Sequence, residues 1–288
     1  MADEQPSTQL RVVGLLGARS LVGVELAAQL RLDPATQVRM FSRRPAASSP
    51  TAWEAFNPPQ SPSDRITTFV SLMPIWALAD YTGWLESYGC ERLIALSSTS
   101  KFTKAGSRRS GDRVLARNLE LGEAQVSAWA VAASVSLTIV RPTMIYGTDA
   151  DGNVSAIASA LRRYRAFPVV GRAGGLRQPV HVADVAWALA RLAHARDTTL
   201  EPAYNISGSE VLTYRDLVER IRRSVPGPTV VVRVPAWMFS AASRAFPHFR
   251  LAALAAGMAE RMGQDMIFDH TQAQDDFGFR PRAFDPRP

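Results

Sequence analysis

The chain has 288 residues, 47% of them hydrophobic, which is long enough for one large α/β domain with a well-filled core, or for one domain plus a small appendage. Its single cysteine, Cys90, excludes an intrachain disulfide and a cysteine-built zinc site, no apolar run reaches the roughly 20 residues of a bilayer span, and the polar start from Met1 to Gln9 does not read as a signal peptide, so the expectation is a cytoplasmic protein with no membrane partner and no metal. The net charge of +7 comes almost wholly from arginine, the only lysines being Lys101 and Lys104; the arginines are scattered without interleaved aromatics, which argues against nucleic acid and fits small anionic molecules.

The first organised stretch runs from Arg11 to Leu30. Val12 and Val13 predict a strand, the small residues up to Ser20 a tight turn, and Leu21, Val24 and Leu30 a helix. This is a dinucleotide fingerprint: Gly17 permits the turn, Gly23 lets the helix pack closely, and the first amides of the helix, at Leu21 and Val22, face a pyrophosphate. Ser20 stands where a second glycine is usual; its hydroxyl is able to donate to phosphate, and its Cβ takes up room.

Gln37 to Phe41 predicts a second strand, which runs into Ser42, Arg43 and Arg44. In a doubly wound fold an acid at this point binds the ribose 2′-hydroxyl of NAD, and arginine accommodates the 2′-phosphate of NADP. No acid is present. Arg43 and Arg44, joined by Arg19 of the glycine turn, form a candidate pocket for the 2′-phosphate, so the sequence reads as NADP-binding with NAD less favoured. The interval from Pro45 to Asp64 is rich in proline and serine, and within it Thr51 to Phe56 reads as a short third strand. Ile66 to Met73 is the fourth, followed by Pro74 and a helix carrying Trp76, Leu78, Tyr81, Trp84 and Leu85. Since strand ends at the carboxyl edge line the ligand crevice, Leu72, Met73 and Pro74 are expected to touch the cofactor. Gly89 to Ser100 contains the fifth strand, with a polar end at Ser97, Ser98 and Thr99.

Four features in order resemble the extended or atypical short-chain dehydrogenase/reductase superfamily, in particular its NAD-dependent epimerase/dehydratase branch. They are the glycine turn, the strand ending in Ser97-Ser98-Thr99, the segment Arg141-Pro142-Thr143-Met144-Ile145-Tyr146-Gly147, and the segment from Gln178 to Ala186 around His181 and Asp184. The resemblance implies a Rossmann-type doubly wound parallel sheet over 1–148, with 176–210 returning to it, and a small substrate lobe from 149–175 and 211–288. It implies that Ser98 hydrogen-bonds a substrate oxygen, that Ser97, Pro142 and Thr143 lie against the cofactor, and that Arg177 meets an anionic substrate group. Met144 replaces an asparagine common in nucleotide-sugar enzymes, which points to a less polar substrate.

The superfamily's acid/base tyrosine and lysine are expected on the helix from Asp112 to Glu123, yet aligning Glu123 with the acid that follows them places Leu115 and Leu119 there. Neither moves a proton. An apolar pair facing Ser98 is expected to dry the site, and Lys104, in the loop after Ser98, becomes the candidate acid/base, with Lys101 or an exposed-loop role as alternatives. Tyr146 reads as a structural and cofactor-shaping residue, and His181 as structural, ahead of a helix capped by Asp184. Asn153 is expected to open a helix carrying Ile157 and Leu161, Thr213 to cap another, and Trp237 to Met262 to be helical, covering the crevice or a dimer contact or packing in the core. Three functions remain open: an NADP-dependent oxidoreductase or isomerase acting on a small organic substrate, a nucleotide-sugar epimerase or dehydratase, and a catalytically silent NADP-binding protein. The chain is expected to be a monomer or homodimer.

Overall fold

The computed structural model describes residues 10–42, 53–55, 65–148, 151–195, 200–235, 238 and 261–286. Strands β1 (Arg11–Leu16), β2 (Thr36–Ser42), β3 (Trp53–Ala55), β4 (Thr68–Ser71), β5 (Arg92–Leu96) and β6 (Ser136–Pro142) lie in parallel in the order β3-β2-β1-β4-β5-β6. The short β7 (Ile145–Tyr146), β8 (Ala166–Val170), β9 (Leu176–Arg177) and β10 (Val180–His181) follow, and β11 (Ala203–Ile206) then adds the seventh strand beside β6. The Ile139 amide donates to Pro202 and the Thr143 amide to Ile206, a constant offset that makes β11 parallel as well. The expected short strand between Thr51 and Phe56 is β3, at the sheet edge.

Helix α1 (Leu21–Leu30) connects β1 to β2. Between β4 and β5 the single helix expected from the sequence is two short ones, α2 (Ile75–Leu78) and α3 (Thr82–Ser87), joined by a 3₁₀ turn over Ala79–Tyr81. After β5 come α4 (Ser100–Thr103) and the long α5 (Ser110–Ala132); α6 (Val154–Tyr164), α7 (Val182–His194), α8 (Tyr214–Ser224) and α9 (Thr271–Phe277) complete the described helices. None of them is long and apolar enough to cross a membrane. Strands β12 (Leu212–Thr213) and β13 (Val230–Val234) pair with β9 and β8. The stretch from Leu176 to Val182 carries two separate strands, β9 and β10, because Gln178 and Pro179 separate two pairings with different partners and Pro179 offers no amide to a ladder.

The chain falls into two compact units. The first holds the described residues through Ser97, with those of Asn118–Val140 and Ala186–Tyr204; the second holds Ser98–Arg117 and the described residues of Arg141–Val185 and from Asn205 onward. Segments 149–175 and 211–288, expected as a substrate lobe, contribute their described residues to the second unit, which also takes Ser98–Arg117 and the end of β6. The parallel strands are buried on both faces, so β1 and β4 read as apolar runs rather than alternating ones. Phe41, Phe69, Trp84 and Tyr88 form an aromatic cluster in the first unit, with Phe41 edge-on to Trp84 at 4.9 Å. The second unit has its own core, in which Ile157, Leu161, Leu217 and Ile221 pack α6 against α8.

Candidate active site

In the first unit the β1–α1 turn is shaped by two glycines. Gly17 has φ +76°, and a Cβ there would come within 3.1 Å of the Leu72 carbonyl carbon and 3.2 Å of the Met73 nitrogen. A side chain is excluded both by backbone conformation and by the close passage of the chain after β4. At Gly23 a Cβ would strike the backbone of Ala18 at 2.6 Å, so this glycine makes room for the turn itself. Ser20 is the helix cap: its Oγ accepts from the Gly23 amide at 3.1 Å. Its proton stays free to donate, while the amides of Leu21 and Val22 have no carbonyl partner in the first turn of the helix. Arg19 is exposed on this turn. Arg43 and Arg44 lie outside the described residues, and Ser42 is the last residue of β2.

Ser97 takes a different role from the one expected. Its hydroxyl donates to Glu123 Oε1 at 2.6 Å, with Ser97 8% and Glu123 3% exposed. The hydroxyl proton is committed to a buried carboxylate on α5. Gly122, one residue earlier, allows α5 to touch the backbone of Ile75 and Trp76, where a Cβ would sit 2.6 Å from the Trp76 nitrogen.

The second unit contains a cavity of about 590 Å³ whose lining brings together Ser98, Lys104, Thr143, Met144 and Arg177. Ser98 stands just before α4, and its Oγ accepts from the Ser100 amide at 3.1 Å. Because the oxygen is occupied by a backbone donor, the hydroxyl proton is directed away from the helix. Thr99 is turned the other way and donates to the Pro142 carbonyl at 3.1 Å, an acceptor that the Thr99 amide shares. Pro142 therefore acts as an anchor for the segment after β5. Thr143 likewise donates its hydroxyl to the Gln178 carbonyl, so its side chain is left only the lone pairs of that oxygen, as an acceptor, for the contact expected at a cofactor. Lys104 is fixed by Asp112 at 3.3 Å. Burial raises the Asp112 carboxyl, but the Lys104 ammonium, Arg261 and Arg109 outweigh that and hold it below the ordinary carboxylate value.

Arg177 is 4% exposed and donates to the carbonyls of Leu176 at 2.7 Å and Gln264 at 2.6 Å, and to that of Arg261. Its guanidinium lies 5.4 Å from the centre of the Tyr214 ring. Burial lowers its pKa from the usual arginine value. Arg141 lies over Phe102 at 5.5 Å, in keeping with a strand anchor. Tyr214 and Arg261 also line the cavity and are the residues that sequence reasoning passed over. Tyr214 follows the helix cap Thr213, a position with no periodic signal, and Arg261 closes a stretch whose composition reads only as helical. Burial raises the Tyr214 phenol above its ordinary value, with Arg177 and Arg261 opposing.

Several expected roles change. Leu115 does not line this cavity, and Leu119 is buried in the first unit, so the apolar wall expected opposite Ser98 is not found at those positions. Helix α7 is capped by His181, whose Nδ1 accepts from the Ala183 amide at 3.1 Å, while Asp184 binds the Arg282 amide and guanidinium at 3.0 and 2.9 Å. Asn153 opens α6 as expected, but the side chain that serves the first amides is that of Asp151, accepting from Asn153 and Ser155, both at 3.0 Å. Tyr146 is buried, with its hydroxyl between the Ala283 carbonyl at 3.3 Å and the Asp285 amide at 3.2 Å. Thr213 caps α8 as expected, accepting from the Asp216 amide at 3.0 Å. Of the helix expected over Trp237 to Met262, only Met238, Arg261 and Met262 are among the described residues.

No protein-family model matches the chain, and no curated protein sequence does. Solved structures match nearly all of it. MoeE5 in complex with UDP-glucose and NAD is 20% identical, with a TM-score of 0.67, over 95% of this chain and 94% of that one. The dTDP-glucose 4,6-dehydratase DesIV from Streptomyces venezuelae, with NAD bound, is 14% identical at a TM-score of 0.67, over 95% and 92%. UDP-glucose 4-epimerase from Thermus thermophilus, in complex with NAD, is 16% identical at a TM-score of 0.65, over 96% of each chain. The fold is that of the NAD-dependent epimerases and dehydratases. Identity at this level carries the fold and not the chemistry.

Proposed function

We propose that the chain binds a nicotinamide dinucleotide at the β1–α1 turn and is an oxidoreductase or isomerase whose substrate oxygen is hydrogen-bonded by Ser98. The observation that carries the dinucleotide reading is the glycine turn, where Gly17 has φ +76° and a Cβ would press on the Leu72–Met73 backbone; the hydroxyl of Ser98, whose oxygen is already held by a backbone amide, supports the rest. The turn fits a pyrophosphate: the positive end of α1, the amides of Leu21 and Val22 and the free proton of Ser20 are all donors. Leu72, Met73 and Pro74 pass beside that turn and supply its wall. A bound nicotinamide would supply or accept hydride. The Ser98 hydroxyl would polarise the substrate oxygen, and the Lys104 ammonium, held by Asp112, would keep a proton available for it.

For the adenine end, Arg19, Arg43, Arg44 and the lack of an acid after β2 support NADP, whereas the neighbours named above carry NAD. Titrating the full chain with NADPH and NADH decides between them: losing a charge-assisted contact to the 2′-phosphate costs about 1.5–3 kcal/mol, roughly tenfold to a hundredfold in affinity. Equal affinities would remove the NADP reading, and no binding of either would remove the dinucleotide reading. A second function, nucleotide-sugar epimerase or dehydratase, is supported by the names of the fold neighbours. Leu115 and Leu119, at the positions where the resemblance implies tyrosine and lysine, count against it and keep a silent binder in view. Transfer of label from 4-deuterated NADPH to an added carbonyl compound separates an active enzyme from a silent binder.

A further inference from the structure

We propose that the cavity holding Ser98 is built for an organic anion on an apolar body, a carboxylate or phosphate ester carried by a hydrocarbon or aromatic frame, and that Tyr214 and Arg261 recognise its anionic end. The proposal rests on the reading of this cavity as the substrate site.

The charge of the lining comes first. Three cations face or flank the space, Lys104, Arg177 and Arg261, and no carboxylate is among its described lining residues. Asp112 answers Lys104 from outside the lining, and Arg177 is spent largely on carbonyls, so Arg261 is the cation with the most donors to give. The Tyr214 hydroxyl makes no hydrogen bond with any described residue. Burial keeps that phenol protonated, so beside two guanidinium groups it is a donor awaiting an acceptor, which is what an anionic oxygen provides.

The rest of the lining is unsuited to a sugar. Each ring hydroxyl is both donor and acceptor and needs a polar partner when it leaves water. The enclosed polar side chains are already used within the protein: Thr99 on the Pro142 carbonyl, Thr143 on the Gln178 carbonyl, and Gln178 on the Gly208 carbonyl and the Phe268 amide at 3.0 Å each. Asn153 is exposed, and Ser98, Ser100 and Thr103 belong to one short segment around α4. What remains is apolar: Met144, Met262, Met266, Ile157 and Phe167. Thioethers and a phenyl ring adapt to a flat or irregular hydrocarbon. A cavity of about 590 Å³ that is cationic at one part and apolar elsewhere selects for an amphiphilic anion.

The test is calorimetric titration of the full chain with three probes: 2-naphthoate, its neutral counterpart 2-acetylnaphthalene, and UDP-glucose. The expected result is that 2-naphthoate binds most tightly. Tyr214→Phe and Arg261→Gln should each weaken it roughly tenfold, as the loss of one charge-assisted hydrogen bond does, and leave 2-acetylnaphthalene within about twofold. UDP-glucose binding more tightly than 2-naphthoate, equal binding of the acid and its neutral counterpart, no binding of 2-naphthoate, or unchanged affinity in both variants would each overturn the proposal. NADPH titrated into the same samples reports dinucleotide binding separately, so loss of the naphthoate result with NADPH binding intact refutes this inference alone. The melting temperature of each variant checks its fold, and Arg261→Gln answers for the site should Tyr214→Phe prove unstable.

Discussion

Replacing Ser97 with alanine separates a structural serine from a ligand-binding one in adjacent positions of the chain. Its hydroxyl donates to Glu123 at 2.6 Å, a distance typical of a charge-assisted bond, and with the two residues 8% and 3% exposed no water stands ready to replace the donor. Hydrogen bonds to charged groups contribute about 1.5–3 kcal/mol, and losing this buried donor puts Ser97→Ala in that range. For a chain of this size class each kcal/mol moves the melting temperature by about 2–4 °C, so the expected fall is roughly 3–12 °C. Urea denaturation followed by tryptophan fluorescence gives the free energy directly. Pairing Ser97→Ala with Glu123→Ala should cost less than the sum of the two, because each removes the same bond. Affinity for NADPH should stay within about twofold. A melting temperature within 1 °C of wild type, or a tenfold loss of NADPH affinity with stability intact, would show that the hydroxyl faces a ligand and that the Glu123 bond is not what holds it.

Ser98→Ala should lower kcat/KM by roughly tenfold to a thousandfold with dinucleotide affinity nearly unchanged, measured by steady-state kinetics once a turned-over carbonyl compound is in hand; an unchanged rate would move the chemistry elsewhere. Gly17→Ala should abolish dinucleotide binding and destabilise the chain by about 1–3 kcal/mol, since φ +76° and the Leu72–Met73 backbone both exclude the methyl group; wild-type affinity in this variant would refute the turn as the pyrophosphate site. The Asp112 carboxyl titrates below its ordinary value, so its pairing with Lys104 stabilises the fold above the unfolded carboxylate pKa and is lost as pH falls through the lower folded one; the gap in melting temperature between wild type and Asp112→Asn should therefore close below about pH 4. Burial pushes the Cys90 thiol up to about 12, so it should resist Ellman's reagent at pH 8 in the folded chain and react at once in denaturant.

The sheet was legible because each strand is a short apolar run closed by turn residues, and parallel strands buried on both faces leave no other pattern. Val12–Val13 and Gln37–Phe41 fall within strands β1 and β2 of the sheet. Misreadings collect where polar groups compete for the same backbone donors. His181 and Asp184 both suit the start of α7, and sequence favours the aspartate, yet Arg282, 98 residues away, takes the aspartate and leaves the amide of Ala183 to the imidazole. Asn153 and Asp151 compete in the same way, and the carboxylate reaches two amides where the amide side chain reaches none. Such outcomes depend on which distant residue arrives, and local pattern carries no record of it.

The site residues follow the same logic. Ser20 and Ser98 each stand where a strand hands over to a helix, and each gives its oxygen to a backbone amide, of Gly23 in one case and Ser100 in the other. A serine held this way keeps one proton whose direction is set by the backbone rather than by a neighbouring side chain, so it donates outward without reorganising. Thr99 and Thr143, with the same hydroxyl in nearby positions, are donors to carbonyls and have no proton left. The difference between a hydroxyl that binds and one that braces is thus whether its oxygen or its proton is engaged, and the residue type alone is silent on that. By this criterion Ser98 is the hydroxyl near α4 shown to be engaged through its oxygen, and Tyr214, engaged by neither among the described residues, is the complementary donor of the same cavity.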